Sequence, residues 1–89
     1  MPRVQFTANL ARQTEAPPCQ IEATTVAEAL AEVFRRHPLL RSYVLDDQGA
    51  LRKHMAVFVD GNCIADRSGL SDAVRPDSDV LVMQSLSGG

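Results

Sequence analysis

The sequence predicts an α+β domain in which one main amphipathic helix packs on one face of a mixed sheet. Three observations carry this. Residues 3–10 alternate apolar and polar. Residues 26–34 place Val26, Leu30, Val33 and Phe34 at helical spacing. Strand-like apolar runs then return at Met55-Ala56-Val57-Phe58-Val59 and Val80-Leu81-Val82-Met83. The 89 residues make one domain, expected over residues 1–83, with residues 84–89 as a flexible tail.

Taken in order, Val4, Phe6, Ala8 and Leu10 point one way, and Arg3, Gln5, Thr7 and Asn9 the other, as in a half-buried strand. Thr14-Glu15-Ala16-Pro17-Pro18 is a turn, because two prolines cannot serve a ladder. Cys19, Ile21 and Ala23 then alternate with polar neighbours, so the chain opens with a hairpin. Thr25-Val26-Ala27-Glu28 reads as a capping box. The helix it starts runs from about Thr25 to His37 and closes on Arg35, Arg36 and His37, whose positive charge suits the macrodipole. Pro38 ends it.

Leu39, Leu40, Tyr43 and Val44 are expected as one helical turn on the core, followed by a turn at Asp46-Asp47-Gln48-Gly49. Leu51-Arg52-Lys53-His54 leads into the strand at residues 55–59. Asp60-Gly61 is a hairpin signal, with Asn62-Cys63-Ile64-Ala65 as the short return strand. Ser68-Gly69 breaks the chain, and Leu70-Ser71-Asp72-Ala73-Val74 is expected as a short helical turn. Pro76-Asp77-Ser78-Asp79 turns the chain into the last strand.

Composition excludes several functions. Nine basic and eleven acidic residues give −2, with no basic footprint for nucleic acid. Residues 1–45 carry five basic and four acidic groups, and residues 46–89 carry four and seven, all of the latter Asp. That Asp-rich half reads as solvated surface or as a bias toward a partner's basic face. No apolar run has the length of a signal peptide or a membrane span, so a cytoplasmic protein is expected. Cys19 and Cys63 lack metal-ligand spacing and are expected to be buried thiols without a disulfide. The sequence offers no phosphate-binding Gly-rich loop, no metal site and no Ser/His/Asp set. No bound cofactor and no catalytic residue of its own are expected.

The tail Gln84-Ser85-Leu86-Ser87-Gly88-Gly89 directs attention elsewhere. Gly is about 7% of residues generally, so a terminal pair arises by chance in about half a percent of chains. A carboxylate becomes an acyl donor only once it carries a leaving group such as AMP. Two residues without Cβ let the backbone enter a narrow active site of another enzyme.

The chain resembles the MoaD/ThiS sulfur-carrier family, which shares the ubiquitin-like β-grasp fold. The resemblance spans nearly the whole chain. It rests on Val57-Phe58-Val59-Asp60-Gly61, on residues 70–74, on Asp77-Ser78-Asp79-Val80 and on Gly88-Gly89. The family commonly has Asn-Gly where this chain has Asp60-Gly61, and Asp-Gly-Asp where it has Asp77-Ser78-Asp79. Many relatives carry a proline before the glycines, where this chain has Gln84-Ser85-Leu86-Ser87. The length of residues 39–54 is similar to that of the longer members, which serve molybdopterin synthase or carrier-dependent cysteine formation.

The resemblance implies a carrier cycle. An ATP-dependent activating enzyme adenylates Gly89, sulfur displaces AMP to leave a thiocarboxylate, and a sulfur-accepting biosynthetic enzyme takes the sulfur. Such a protein is a carrier or a synthase small subunit, not an autonomous enzyme. It binds no cofactor, and the ATP belongs to the partner. The resemblance also places the last strand beside residues 55–59. With Val57, Val59, Val80 and Val82 facing the helix, Phe58, Leu81 and Met83 face away and form an apolar docking patch extended by Leu86. A ubiquitin-like modifier would use the same activated Gly89 to form an amide with a lysine, and the sequence leaves both chemistries open. A plain binding domain with incidental glycines is the third reading, and it tolerates residues added after Gly89.

Overall fold

The computed structural model describes residues 1–7 and 18–84. Among them are strands β1 (Arg3–Phe6), β2 (Cys19–Gln20), β3 (Met55–Val59), β4 (Asn62–Cys63) and β5 (Asp79–Gln84), with helices α1 (Val26–Arg36) and α2 (Leu39–Val44). The strands form one sheet in the order β2-β1-β5-β3-β4. β1 and β5 run parallel, and the other neighbours are antiparallel. The last strand in sequence is therefore central, as in the ubiquitin-like β-grasp fold. Val80 and Val82 of β5 are fully buried, together with Val4 of β1 and Val57 of β3. They meet Leu30 and Val33 of α1 in one core.

α1 starts where its sequence says. Thr25 Oγ1 accepts the Glu28 N–H at 3.2 Å. The return bond is displaced by one residue: Glu28 Oε1 accepts the Thr24 N–H at 2.7 Å and its hydroxyl at 2.8 Å. Val26, Ala29, Leu30, Val33 and Phe34 form the buried stripe, and His37 is the C-cap.

Several elements differ from the expectations. Ala8, Leu10 and the turn at Thr14–Pro17 lie outside the described residues. β2 stops at Gln20, although Ile21 still donates to the Pro2 carbonyl at 2.9 Å and is fully buried. In α2 only Leu40 and Val44 reach the core, while Leu39 is 77% and Tyr43 44% exposed. A six-residue helix lying on a core buries one stripe only.

Residues 70–74 do not form a helical turn. Their carbonyls are used by α1: Val26 donates to Asp72 O at 3.0 Å and Ala27 to Leu70 O at 2.8 Å. These are two of the donors that a helix start leaves unpaired, and an extended neighbour supplies the acceptors. Ala73 bridges Thr25, and Leu70 adopts φ 55°.

β4 ends at Cys63 rather than Ala65, because the Ala65 and Asp66 N–H groups turn away to the Asp72 carboxylate at 3.0 and 2.9 Å. Both cysteines are free, but Cys63 is exposed on the edge strand and Cys19 is half-buried, so neither is the core thiol expected. Partial burial raises the Cys19 thiol pKa. The acid-rich half is also not plain solvated surface. Asp46, Asp60, Asp66 and Asp72 each accept backbone N–H groups that shape turns.

Candidate functional site

The site is built on the two central strands, β3 and β5. Their pairing is antiparallel, with Phe58 opposite Leu81, Ala56 opposite Met83 and Met55 opposite Gln84. Because side chains alternate across a strand, Val57, Val80 and Val82 point into the α1 side, while Phe58, Leu81 and Met83 share the other face. All three are half-buried rather than broadly exposed. Among the described residues, the large apolar side chains that are exposed are Met1, Leu39 and Tyr43. Register adds neighbours that alternation within one strand does not reveal: Gln5 lies opposite Leu81, and Cys63 opposite Phe58.

The start of β5 is pinned to the end of β3. Asp60 and Gly61 both take positive φ, 51° and 85°, as a two-residue type I′ hairpin requires. The Asp60 carboxylate accepts the Asp79 N–H and the Ser78 hydroxyl, both at 2.9 Å. These bonds, the backbone one first, hold the Asp60 carboxyl below the usual carboxylate range. At its other end β5 includes Gln84, which the sequence assigned to the tail. Leu86, Ser87, Gly88 and Gly89 lie outside the described residues.

Beside Gln84 the chain carries Arg52, Lys53 and His54, a basic run that sequence reasoning treated only as a lead into β3. An unbroken basic triplet abutting an apolar strand was the available signal. A cleft of about 440 Å³ between α1 and α2 is lined by Leu30, Phe34 and Leu45, with Arg35 and Arg41 at its edge. Among the described residues, no carboxylate or thiol lines it. Arg35 and Arg36 both pair with Glu32, whose carboxyl falls to about 2 as it accepts from Arg35 and then from Arg36. Among the described residues, no helix is long and apolar enough to cross a membrane.

No family model and no curated protein sequence matches the chain. Solved structures do. SAMP1 from Haloferax volcanii superposes with a TM-score of 0.83 at 26% identity, covering 99% of this chain and 98% of that one. A chain of the Amycolatopsis orientalis BexX/CysO complex gives 0.84 at 19% identity over 100% of both. Mycobacterium tuberculosis CysO gives 0.81 at 13% identity over 97% of this chain and 100% of that one. The last two likenesses speak for the fold. A further Haloferax volcanii structure, described as small archaeal modifier protein 1, gives 0.80 at 24% identity over 96% of this chain and 97% of that one.

Proposed function

We propose that this chain, a ubiquitin-like β-grasp protein of the MoaD/ThiS type, is a sulfur carrier whose Gly89 carboxylate is the working group. The observation that supports this most is likeness over essentially the full length of both chains, to SAMP1 and to a chain of the BexX/CysO complex. In this account the Gly89 carboxylate attacks the α-phosphate of ATP in a partner enzyme and pyrophosphate leaves. Sulfide then attacks the acyl carbon and AMP leaves. Where the sulfur comes from a persulfide, its terminal sulfur displaces AMP and a thiol of the donor cleaves the resulting acyl disulfide, leaving the donor as a disulfide and releasing the thiocarboxylate. The resulting thiocarboxylate passes its sulfur to a biosynthetic enzyme.

The domain's contribution is positional. β5 is the central strand, so the segment that follows Gln84 departs from the most firmly held element of the sheet. Gly88 and Gly89 add no Cβ that would obstruct a narrow channel. Phe58, Leu81 and Met83 supply apolar contact area for the partner on the face away from α1.

A second reading has its own support. The 26%-identical neighbour is SAMP1, and the 24%-identical Haloferax volcanii structure is described as small archaeal modifier protein 1, so amide formation between Gly89 and a target lysine is the alternative fate of the same acyl-adenylate. Both readings predict that deleting Gly88 and Gly89 abolishes ATP–pyrophosphate exchange by the activating enzyme while leaving the melting midpoint unchanged. Exchange at the normal rate without the two glycines would contradict both.

A further inference from the structure

Gly89 lies five residues beyond Gln84 in the sequence. At full extension, five residues span at most about 18 Å. Any enzyme that acts on Gly89 must therefore bring its reacting centre within about that distance of the sheet end at Gln84.

What that surface meets is set by register. Gln84 pairs with Met55, and Met55 closes a tight turn by donating its N–H to Arg52 O at 3.0 Å. Lys53 and His54 are the central residues of this turn, and both are exposed. The turn is braced on both sides. Arg52 donates its N–H to Val44 O at 2.9 Å and its Nε to Ser42 O at 2.7 Å, which ties it to α2. The Arg67 guanidinium donates to Arg52 O and Met55 O, both at 2.8 Å.

Arg52, Lys53, His54 and Arg67 are thus gathered on one rigid feature beside the end of β5. Among the described residues, the salt bridges are those of Glu32 with Arg35 and Arg36, so this group is not neutralised by an ion pair. The last acidic side chain of the sequence, Asp79, lies at the far end of β5. At strand rise that is about 17 Å from Gln84, well beyond the roughly 8 Å screening length of physiological salt. Asp46 and Asp66, on the segments that flank the turn, use their carboxylates to accept backbone N–H groups.

We propose that the Arg52–Met55 turn is a cationic docking element that meets an acidic lip around the channel of the activating enzyme, next to the point where the tail enters. It rests on the activation of Gly89 proposed above. Because the turn sits at the root of the tail and the chemistry at its tip, the turn contributes to capture rather than to the chemical step. Complementary charge at such a rim acts mainly on encounter and orientation.

The test is ATP–pyrophosphate exchange with the activating enzyme of the source cell, first shown to act on the wild-type chain. The variants are Lys53→Glu/His54→Glu, Lys53→Ala and Lys53→Arg, each checked for an unchanged melting curve. The double variant should raise KM for the carrier on the order of tenfold with kcat retained. Lys53→Ala should raise it less and Lys53→Arg not at all, and added salt should raise the wild-type KM more than that of the double variant. An unchanged KM in the folded double variant, with exchange still dependent on Gly88-Gly89, overturns the docking element alone. A fall in kcat at constant KM overturns it too, since it would place the turn at the reacting centre. Exchange that survives loss of Gly88-Gly89 overturns the activation of Gly89 as well.

Discussion

The Ser78 hydroxyl donates to Asp60 Oδ2 at 2.9 Å, joining the turn before β5 to the turn that closes β3 and β4. The same Ser78 oxygen accepts the Arg75 N–H at 2.8 Å. Ser78 is 2% exposed. These two positions are where the sequence departs from the patterns common in the sulfur-carrier family, with Asp for Asn and Ser for Gly. The two departures meet in one hydrogen bond.

Ser78→Ala should therefore destabilise the domain by about 1–3 kcal/mol, since it removes the acceptor of the Arg75 N–H and the donor to Asp60 at a side chain that is itself buried. Chemical denaturation measures this. In a double-mutant cycle with Asp60→Asn the effects should be non-additive, as for residues in one network. Additive effects would mean that the two turns are stabilised independently.

Asp66 organises the turn at residues 66–71. Its carboxylate accepts from the Ser71 hydroxyl at 2.6 Å, the Gly69 N–H at 2.8 Å and the Ser71 N–H at 3.2 Å. With the Ser71 hydroxyl as the largest cause, its pKa falls to about 2. The unfolded value is about 3.9. Stability from Asp66 is thus fully present above pH ~4 and is lost as pH falls toward ~2. Asp66→Asn should lower the melting midpoint at pH 7 and flatten its decline across that acid window. Glu32 titrates in the same window, so the decline should shrink rather than vanish. A midpoint that falls with acid as steeply in the variant as in wild type would remove Asp66 as a source of the acid sensitivity.

Phe58→Asp should leave the fold intact, because Phe58 is half-buried on the face away from α1. It should weaken binding to the activating enzyme, since an unpaired carboxylate buried in an interface is costly. Isothermal titration alongside circular dichroism checks both. Native affinity in the folded variant would remove Phe58 from the interface, and unfolding would show that its contacts are part of the core.

The periodic elements were legible because each depends on its own sequence. Val26, Leu30, Val33 and Phe34 at helical spacing, and Val57, Val80 and Val82 at period two, are the residues that form the core. Asp60-Gly61 announced its hairpin through the positive φ that such a turn demands. Residues 70–74 were illegible for the opposite reason. Their conformation is decided by unpaired donors of α1, more than forty positions earlier, which the local pattern does not register. The same holds for the Arg52–Met55 turn, whose meaning appears only when register sets Met55 against Gln84. The exposure of Leu39 and Tyr43 follows from which side of a short helix meets the core, and their sequence is apolar on both sides.

The central claim is that the Gly89 carboxylate is activated and then carries sulfur. Intact-mass analysis of the chain purified from its native cell tests it most directly. The expected result is a population ending at Gly89 in which one oxygen of the terminal carboxylate is replaced by sulfur. A chain never found with sulfur at its terminus, but found joined through Gly89 to target lysines in branched peptides, would contradict it and establish the modifier chemistry instead.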